Sequence, residues 1–246
     1  MSKTESKPPP SPRRGRTYKY YDLVMAAFVT DLLCSNMIGP GKSVSIDALG
    51  FPIVFGAGNL FFPISYILGD VLTEVYGYAK ARKVIWAGFG ALAFSSLMST
   101  VVIALPPNAA EPFNLKMQPA LEVVFGNSVR IVAASALAFW VGDFANSYVL
   151  AKMKIWTKGR MLWTRTVGST VVAEGIDSVI FYPIAFAGIW TAGTVTRVIL
   201  FNWLFKILVE VVMTPVTYAV VGWLKRAERE DYFDTDTKFT PFSLND

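Results

Sequence analysis

The chain has 246 residues, 53% of them hydrophobic, with a mean hydropathy of +0.43 and a formal net charge of +5. It holds no histidine and a single cysteine, Cys34, which excludes an internal disulfide, a cysteine metal site, zinc chemistry, histidine proton relays and Ser-His proteolysis. No phosphate-cradling glycine loop or G-x-S-x-G turn is visible, and the loops are too short for a soluble catalytic or nucleotide-binding domain.

Residues 1–20 mix Pro8, Pro9, Pro10 and Pro12 with basic side chains and read as a disordered basic cytoplasmic tail, not a signal peptide. Beyond them the apolar residues fall into six runs of about 20, the length that a helix needs to cross the hydrocarbon core. The runs cover roughly 21–39, 51–70, 84–105, 128–150, 167–190 and 198–223. The expected fold is therefore an all-α membrane protein, a bundle of six transmembrane helices over 21–224, with a polar cytoplasmic tail over 225–246 that reads as disordered. The Pro-rich stretch from Pro106 to about Asn127 is the longest loop.

Basic residues lie before span one (Lys3, Lys7, Arg13, Arg14, Arg16, Lys19), after span two (Lys80, Arg82, Lys83), between spans four and five (Lys152, Lys154, Lys158, Arg160, Arg165) and at the end (Lys225, Arg226, Arg229, Lys238). The other side holds only Lys42, Lys116, Arg130 and Arg197. By the positive-inside rule both termini are cytoplasmic, and this use of the basic charge leaves no case for a nucleic-acid partner.

Pro63, Pro183 and Pro215 fall within spans two, five and six, where a helical proline frees the carbonyl four residues earlier, here those of Asn59, Val179 and Val211. Interrupted helices of this kind line the sites of many secondary transporters. Four ionisable residues, Glu174, Asp177, Lys206 and Glu210, sit inside the last two spans, each costing about 2.5–3.5 kcal/mol to insert. Glu174 and Asp177 are three apart and share a face. Asn202, Lys206 and Glu210 are spaced by four and form one stripe. Asp177 lies about 15 Å deep from one side, and Lys206 and Glu210 about 12 and 18 Å from the other, so the two sets meet near the midplane. Ion pairing of Lys206 with Glu210 or Asp177 would leave carboxylate in excess, so a polar small-molecule site is expected there. Asp143 and Asn146 read as interfacial, and Asp31 as a lone acid that snorkels or pairs with a loop cation. Asp70 and Glu74 read on spacing alone as a charge-paired turn.

Three segments then carry a resemblance: NLFFPISYILGDVLTEVYGYAKARKVIW from Asn59, RTVGSTVVAEGIDSVIFYPIAFAG from Arg165, and Lys206 followed by TPVTY from Thr214. Together they resemble the queuosine precursor transporter family, also labelled vitamin uptake transporters, over about Tyr20 to Lys225. The resemblance implies import of 7-cyano- or 7-aminomethyl-7-deazaguanine across the bacterial inner membrane for transfer-RNA modification, by a multi-pass protein that is not an enzyme and uses no cofactor or metal. By motif position Asp70 and Glu74 are the acids of F-P-x-x-Y-x-x-x-D-x-x-x-E-x-Y-G, with Pro63 and Pro215 as gating positions, and Asp177 is the acid of the second segment.

The chemistry is consistent with a deazapurine. Its guanine-like edge offers two N–H donors to a carboxylate such as Glu174 or Asp177, and one carbonyl to Asn59, Asn202 or Lys206. Phe181, Tyr182, Trp203 or Tyr66 can stack on the ring. A buried Glu174, Asp177 or Glu210 is a candidate proton carrier for symport, with facilitated diffusion as the other scheme. The main rival is a substrate-binding membrane subunit of an energy-coupling-factor transporter. Such subunits dock through an A-x-x-x-A face on span one, which is absent from MAAFVTDLLCSN, although Ala134 and Ala138 offer it in span four. Small residues such as Gly88, Gly90, Ala134 and Ala138 leave open packing within the bundle or across a homodimer.

Overall fold

The computed structural model describes residues 17–38, 43–48, 51–108, 110–126 and 129–243. The expected N-terminal tail lies almost wholly outside the described residues.

Seven helices account for most of the chain: α1 (Tyr21–Met37), α2 (Phe62–Tyr76), α3 (Tyr78–Ala104), α4 (Pro112–Phe125), α5 (Val129–Trp156), α6 (Leu162–Phe186) and α7 (Ala192–Glu228). Five of the six expected apolar runs fall on helices, α1, α3, α5, α6 and α7, without each of them having the length and hydropathy of a span. The second is corrected: residues 51–56 are strand and not helix, pairing as β2 (Phe51–Gly56) with β1 (Ser43–Ala48) in an antiparallel hairpin that sets Val44 opposite Phe55 and Ile46 opposite Ile53. Branched and aromatic residues favour the strand, while Gly56 and Gly58 each cost a helix about 1 kcal/mol. A short 3-10 turn (Ala57–Leu60) follows. Pro63 then lies in the first turn of α2, where its missing N–H costs nothing, so it starts a helix instead of breaking one. Pro183 and Pro215 lie inside α6 and α7, which run on past them. The stretch expected as a loop after Pro106 contains α4, also begun by a proline at its start.

Among the described residues three helices, α3, α6 and α7, are individually long and apolar enough to span a bilayer, and the bent pair α4 and α5 adds a fourth span if taken as one. On α7 the large side chains of Leu200, Leu204, Leu208 and Val212, four apart, are all exposed. Asn202, Lys206 and Glu210 occupy the opposite, inward side. Apolar outside and polar inside is the arrangement that lipid demands.

The start of α1, the α2–α3 junction, the α5–α6 turn and the end of α7 meet at one end of the bundle, where most of the basic residues collect. The main apolar core lies here, built from Val71, Leu72, Val75 and Tyr76 of α2 against Phe28, Val84, Leu162, Val221 and Leu224. At its centre the fully buried Glu74 carboxylate accepts two bonds from Arg165, from Nε at 2.9 Å and Nη2 at 2.7 Å, and one from Lys225 Nζ at 2.6 Å. Lys154 Nζ stands 3.4 Å from the same carboxylate and donates to the Glu74 carbonyl at 2.6 Å. One acid thus ties α2 to α5, α6 and α7.

The C-terminal tail, expected to be disordered, is folded back onto this end. Lys154 and Lys225 both pair with Asp231, at 2.6 and 2.7 Å. Burial acts to raise the Asp231 carboxyl, and the Lys154 and Lys225 ammonium groups outweigh it and hold it below the ordinary carboxylate range. Asp234 accepts the free Tyr78 N–H at the start of α3 at 3.1 Å, Arg82 donates to the Thr240 carbonyl at 2.8 Å, and Trp86 donates to the Pro241 carbonyl at 2.7 Å. Glu228 caps α1 from across the bundle, accepting from Tyr20 N at 2.7 Å and Lys19 N at 3.0 Å. Polar composition signals disorder only when the charges find no partners, and here buried cations supply them.

Gly77 makes the abrupt turn from α2 to α3, with φ +86°, and a Cβ there would stand 2.3 Å from Tyr232 Cδ1. Gly77→Ala should therefore add about 1–3 kcal/mol of backbone strain and also lift Tyr232 off the junction. We expect faster proteolytic loss of the C-terminal segment and a lower unfolding temperature in detergent. An unchanged digestion pattern would show that the tail contributes nothing at this junction.

Candidate functional site

Between α1, α2, α5, α6 and α7 lies a cavity of about 380 Å³, within the range that holds small ligands. Its walls carry Glu174, Asp177, Asn202 and Lys206, four of the residues singled out in the sequence, together with Tyr66, Phe181 and Tyr182. Lys206 of α7 reaches across to α6, donating to Glu174 and, at 3.0 Å, to Asp177. Its ammonium also stands 4.8 Å above the Phe62 ring. The side chains remain partly open to the cavity, at 12% exposure for Lys206, 15% for Glu174 and 26% for Asp177, so a ligand can reach them.

Local sequence explains why α6 and α7 approach so closely. A Cβ on Gly175 would touch Trp203 Nε1 at 3.4 Å, and the Trp203 indole donates to the Val171 carbonyl at 2.8 Å. That bond commits Trp203 to holding the two helices together and keeps it off the cavity wall, where it was a candidate for stacking. On the other flank a Cβ on Gly142 would meet Asp177 Cβ at 3.4 Å, which brings α5 against the acidic face of α6.

Asp143 and Asn146, read from the sequence as interfacial, line the cavity instead, and Asp143 lies within electrostatic reach of Glu174, Asp177 and Lys206. The site then has three acids to one ammonium. The signal was available in Gly142 and in the spacing of three between Asp143 and Asn146, which puts both on the face of α5 that packs on α6. Asp31 is corrected as well: it is buried and bonded to Ser65 of α2, with no loop cation beside it among the described residues. Asn36 accepts from Ser135 at 3.2 Å on the same cavity wall.

The remaining candidates lie elsewhere. Asn59 is in the 3-10 turn, and its side chain lies outside the described residues. Glu210 is fully buried one turn beyond Lys206, off the cavity wall and apart from the Lys206 ion pairs. Asp70 is buried beside the cavity, accepting from Asn146 at 3.3 Å, and Glu74 is the hub of the basic end. Pro63 and Pro215 are not among the residues that line the cavity. Among the described residues no group of histidine, cysteine and acid side chains has the arrangement to hold a metal ion.

A cavity with one ammonium, several acceptors and exposed ring faces has the chemistry to receive a flat polar molecule. Comparison with known proteins agrees. Residues 56–220 match the family described as "Putative vitamin uptake transporter". The chain is 32% identical over 180 residues to the "Probable queuosine precursor transporter" of Bacillus subtilis, covering 73% of this chain and 77% of that one. It is 24% identical over 186 residues to the "Queuosine precursor transporter" of Escherichia coli, covering 72% and 76%. The "Probable queuosine precursor transporter" of Haemophilus influenzae is 25% identical over 171 residues, 67% of each chain. No solved structure matches. The apolar helices and these relatives together place the chain in the queuosine precursor transporter family, as a multi-pass bacterial membrane transporter and not an enzyme.

Proposed function

We propose that this chain imports 7-cyano-7-deazaguanine, 7-aminomethyl-7-deazaguanine or both across the inner membrane as a secondary transporter, with both termini and the basic end in the cytoplasm. The observation that carries this reading is the Lys206, Glu174 and Asp177 cluster on the cavity wall. A guanine-like edge presents two N–H groups to a carboxylate and a carbonyl to an ammonium or amide, so cargo can replace the internal pairing of Lys206 with equivalent bonds. Asn202 and Asp143 extend the polar wall, and Tyr66, Phe62, Phe181 and Tyr182 offer ring faces.

The rival subunit reading needs a free small-residue docking face. Ala134 and Ala138 are buried at 0% and 1% exposure, and a Cβ on Gly88 would meet Leu32 at 3.0 Å, so these positions pack inside the bundle. That use favours a chain that works without coupling subunits and takes these three positions out of a homodimer contact, while Gly90, exposed with open space at its Cβ, is left free for one.

The test is transfer-RNA queuosine in a bacterium that cannot make the precursor and lacks its own importer, with this chain supplied alone and nanomolar cyano-deazaguanine in the medium. Restored queuosine is the expected result. None, from protein shown to be in the membrane, would overturn import by the chain alone, and binding of labelled precursor to the purified protein would then separate a wrong cargo from a missing partner.

A further inference from the structure

Glu210 is fully buried in the middle of α7, and neither of its carboxylate oxygens has a hydrogen-bond partner among the described residues. Asp70 of α2, 1% exposed, has one unpartnered oxygen, Oδ2, and α2 packs directly on α7. The two carboxyls are close enough to interact electrostatically. A buried carboxylate without donors costs several kcal/mol, and two that face one another cost more.

The charged groups around them do not remove this cost. Glu210 is faced by Glu174 from α6 and by Asp70 and Tyr66 from α2. The Thr166 hydroxyl beside it has one proton, shared between the Trp163 carbonyl at 3.2 Å and Glu210, so it can satisfy at most one of the two carboxylate oxygens. Asp70 is faced by Glu210, by Glu74 on its own helix and by Arg165 of α6, whose guanidinium is committed to Glu74. Its one donor is Asn146 of α5, at 3.3 Å. Lys206, four residues before Glu210, is taken by Glu174 and Asp177. A proton is the partner that fits: an O–H on Glu210 would find the Thr166 lone pair, and Asn146, turned over, would offer its own unpartnered Oδ1 to an O–H on Asp70.

We propose that Glu210 and Asp70 form a proton-binding site, separate from the cargo cavity, whose proton crosses the membrane with each cargo molecule. The proposal rests on the transport reading above. One proton is taken from the outer aqueous side to form a carboxyl O–H and is released to cytoplasmic water when the pair opens, so one positive charge moves inward per cycle. Two interactions link the pair to cargo. Asn146 lines the cavity while bonding Asp70, and Glu174, bonded to Lys206, lies within electrostatic reach of Glu210, so cargo that draws Lys206 away from Glu174 raises the negative field at Glu210 and favours its protonation.

Two arms test this on the full chain in liposomes. Without cargo, infrared spectra across pH should show a protonated-carboxyl band that disappears in Glu210→Gln and shifts in Asp70→Asn; a band untouched by both substitutions would overturn the proposal. With labelled 7-cyano-7-deazaguanine, a gradient of one pH unit, acid outside, should support up to about tenfold accumulation by the unaltered protein at one proton per cargo. Glu210→Gln should bring that ratio to about one while carrier-mediated exchange between equal cargo pools continues, and Asp70→Asn should do the same or weaken the ratio. Exchange by the unaltered protein with no response to the acid gradient, or accumulation driven by sodium instead, would overturn proton coupling and leave the transport reading standing. No exchange by a protein that shows the infrared band would overturn both coupling to this cargo and the cargo itself.

Discussion

Glu74→Gln should destabilise the protein more than any substitution in the cavity, by about 3–5 kcal/mol, the usual cost of breaking a buried charge pair from one side. The carboxylate is fully buried and accepts from Arg165 and Lys225 while standing 3.4 Å from Lys154. Glutamine keeps one acceptor oxygen but turns an NH2 toward three cations, leaving Lys154 and Lys225 with Asp231 as their carboxylate partner and Arg165 with none among the described residues. The unfolding temperature of the protein in detergent should fall by on the order of ten degrees. Because Arg165 and Glu74 act together, adding Arg165→Gln to Glu74→Gln should cost much less than the sum of the two single changes. Additive losses, or a wild-type unfolding temperature for Glu74→Gln, would show that the hub does not hold the four helices together.

The hub also marks the limit of what the sequence discloses. Run length identifies apolar helices because lipid imposes one physical requirement on every residue of a span. The spacing of Glu174, Asp177 and Lys206 placed them correctly across α6 and α7, since helical periodicity and depth are both arithmetic on the chain. Arg165, Lys154 and Lys225 were hidden by the same positive-inside rule that explained them. A cation at the basic end satisfies the rule whether it faces water or a buried Glu74, and only the packing of α2 among α5, α6 and α7 distinguishes the two. Asp231 and Asp234 were hidden for the complementary reason: a polar, acidic tail looks unfoldable until the buried cations and the free N–H of Tyr78 are known. Residues 51–61 were misread because an apolar run has no intrinsic choice between strand and helix, and the glycines at 56 and 58 decided it.

Lys206→Met should abolish cargo uptake while the protein still reaches the membrane. Lys206 is the only cation touching Glu174 and Asp177 among the described residues, and methionine fills its volume while leaving two facing carboxylates unpaired. Those carboxylates then take up protons or water, and neither state offers the cargo an ammonium for its carbonyl. Asp177→Asn is gentler. It keeps the shape and one acceptor oxygen but replaces the second acceptor with a donor that opposes the cargo N–H, so a charge-assisted bond worth about 1.5–3 kcal/mol is lost. Affinity for labelled cyano-deazaguanine should fall by about 10- to 150-fold, with uptake at nanomolar concentration below detection and partial recovery at micromolar. Concentration thus separates the two variants: raising cargo rescues Asp177→Asn and leaves Lys206→Met inactive. Normal uptake by either would remove that residue from the cargo site. Equal failure of both at high cargo, with unfolding temperatures lowered alike, would recast the cluster as an ion pair that fixes the register of α6 on α7.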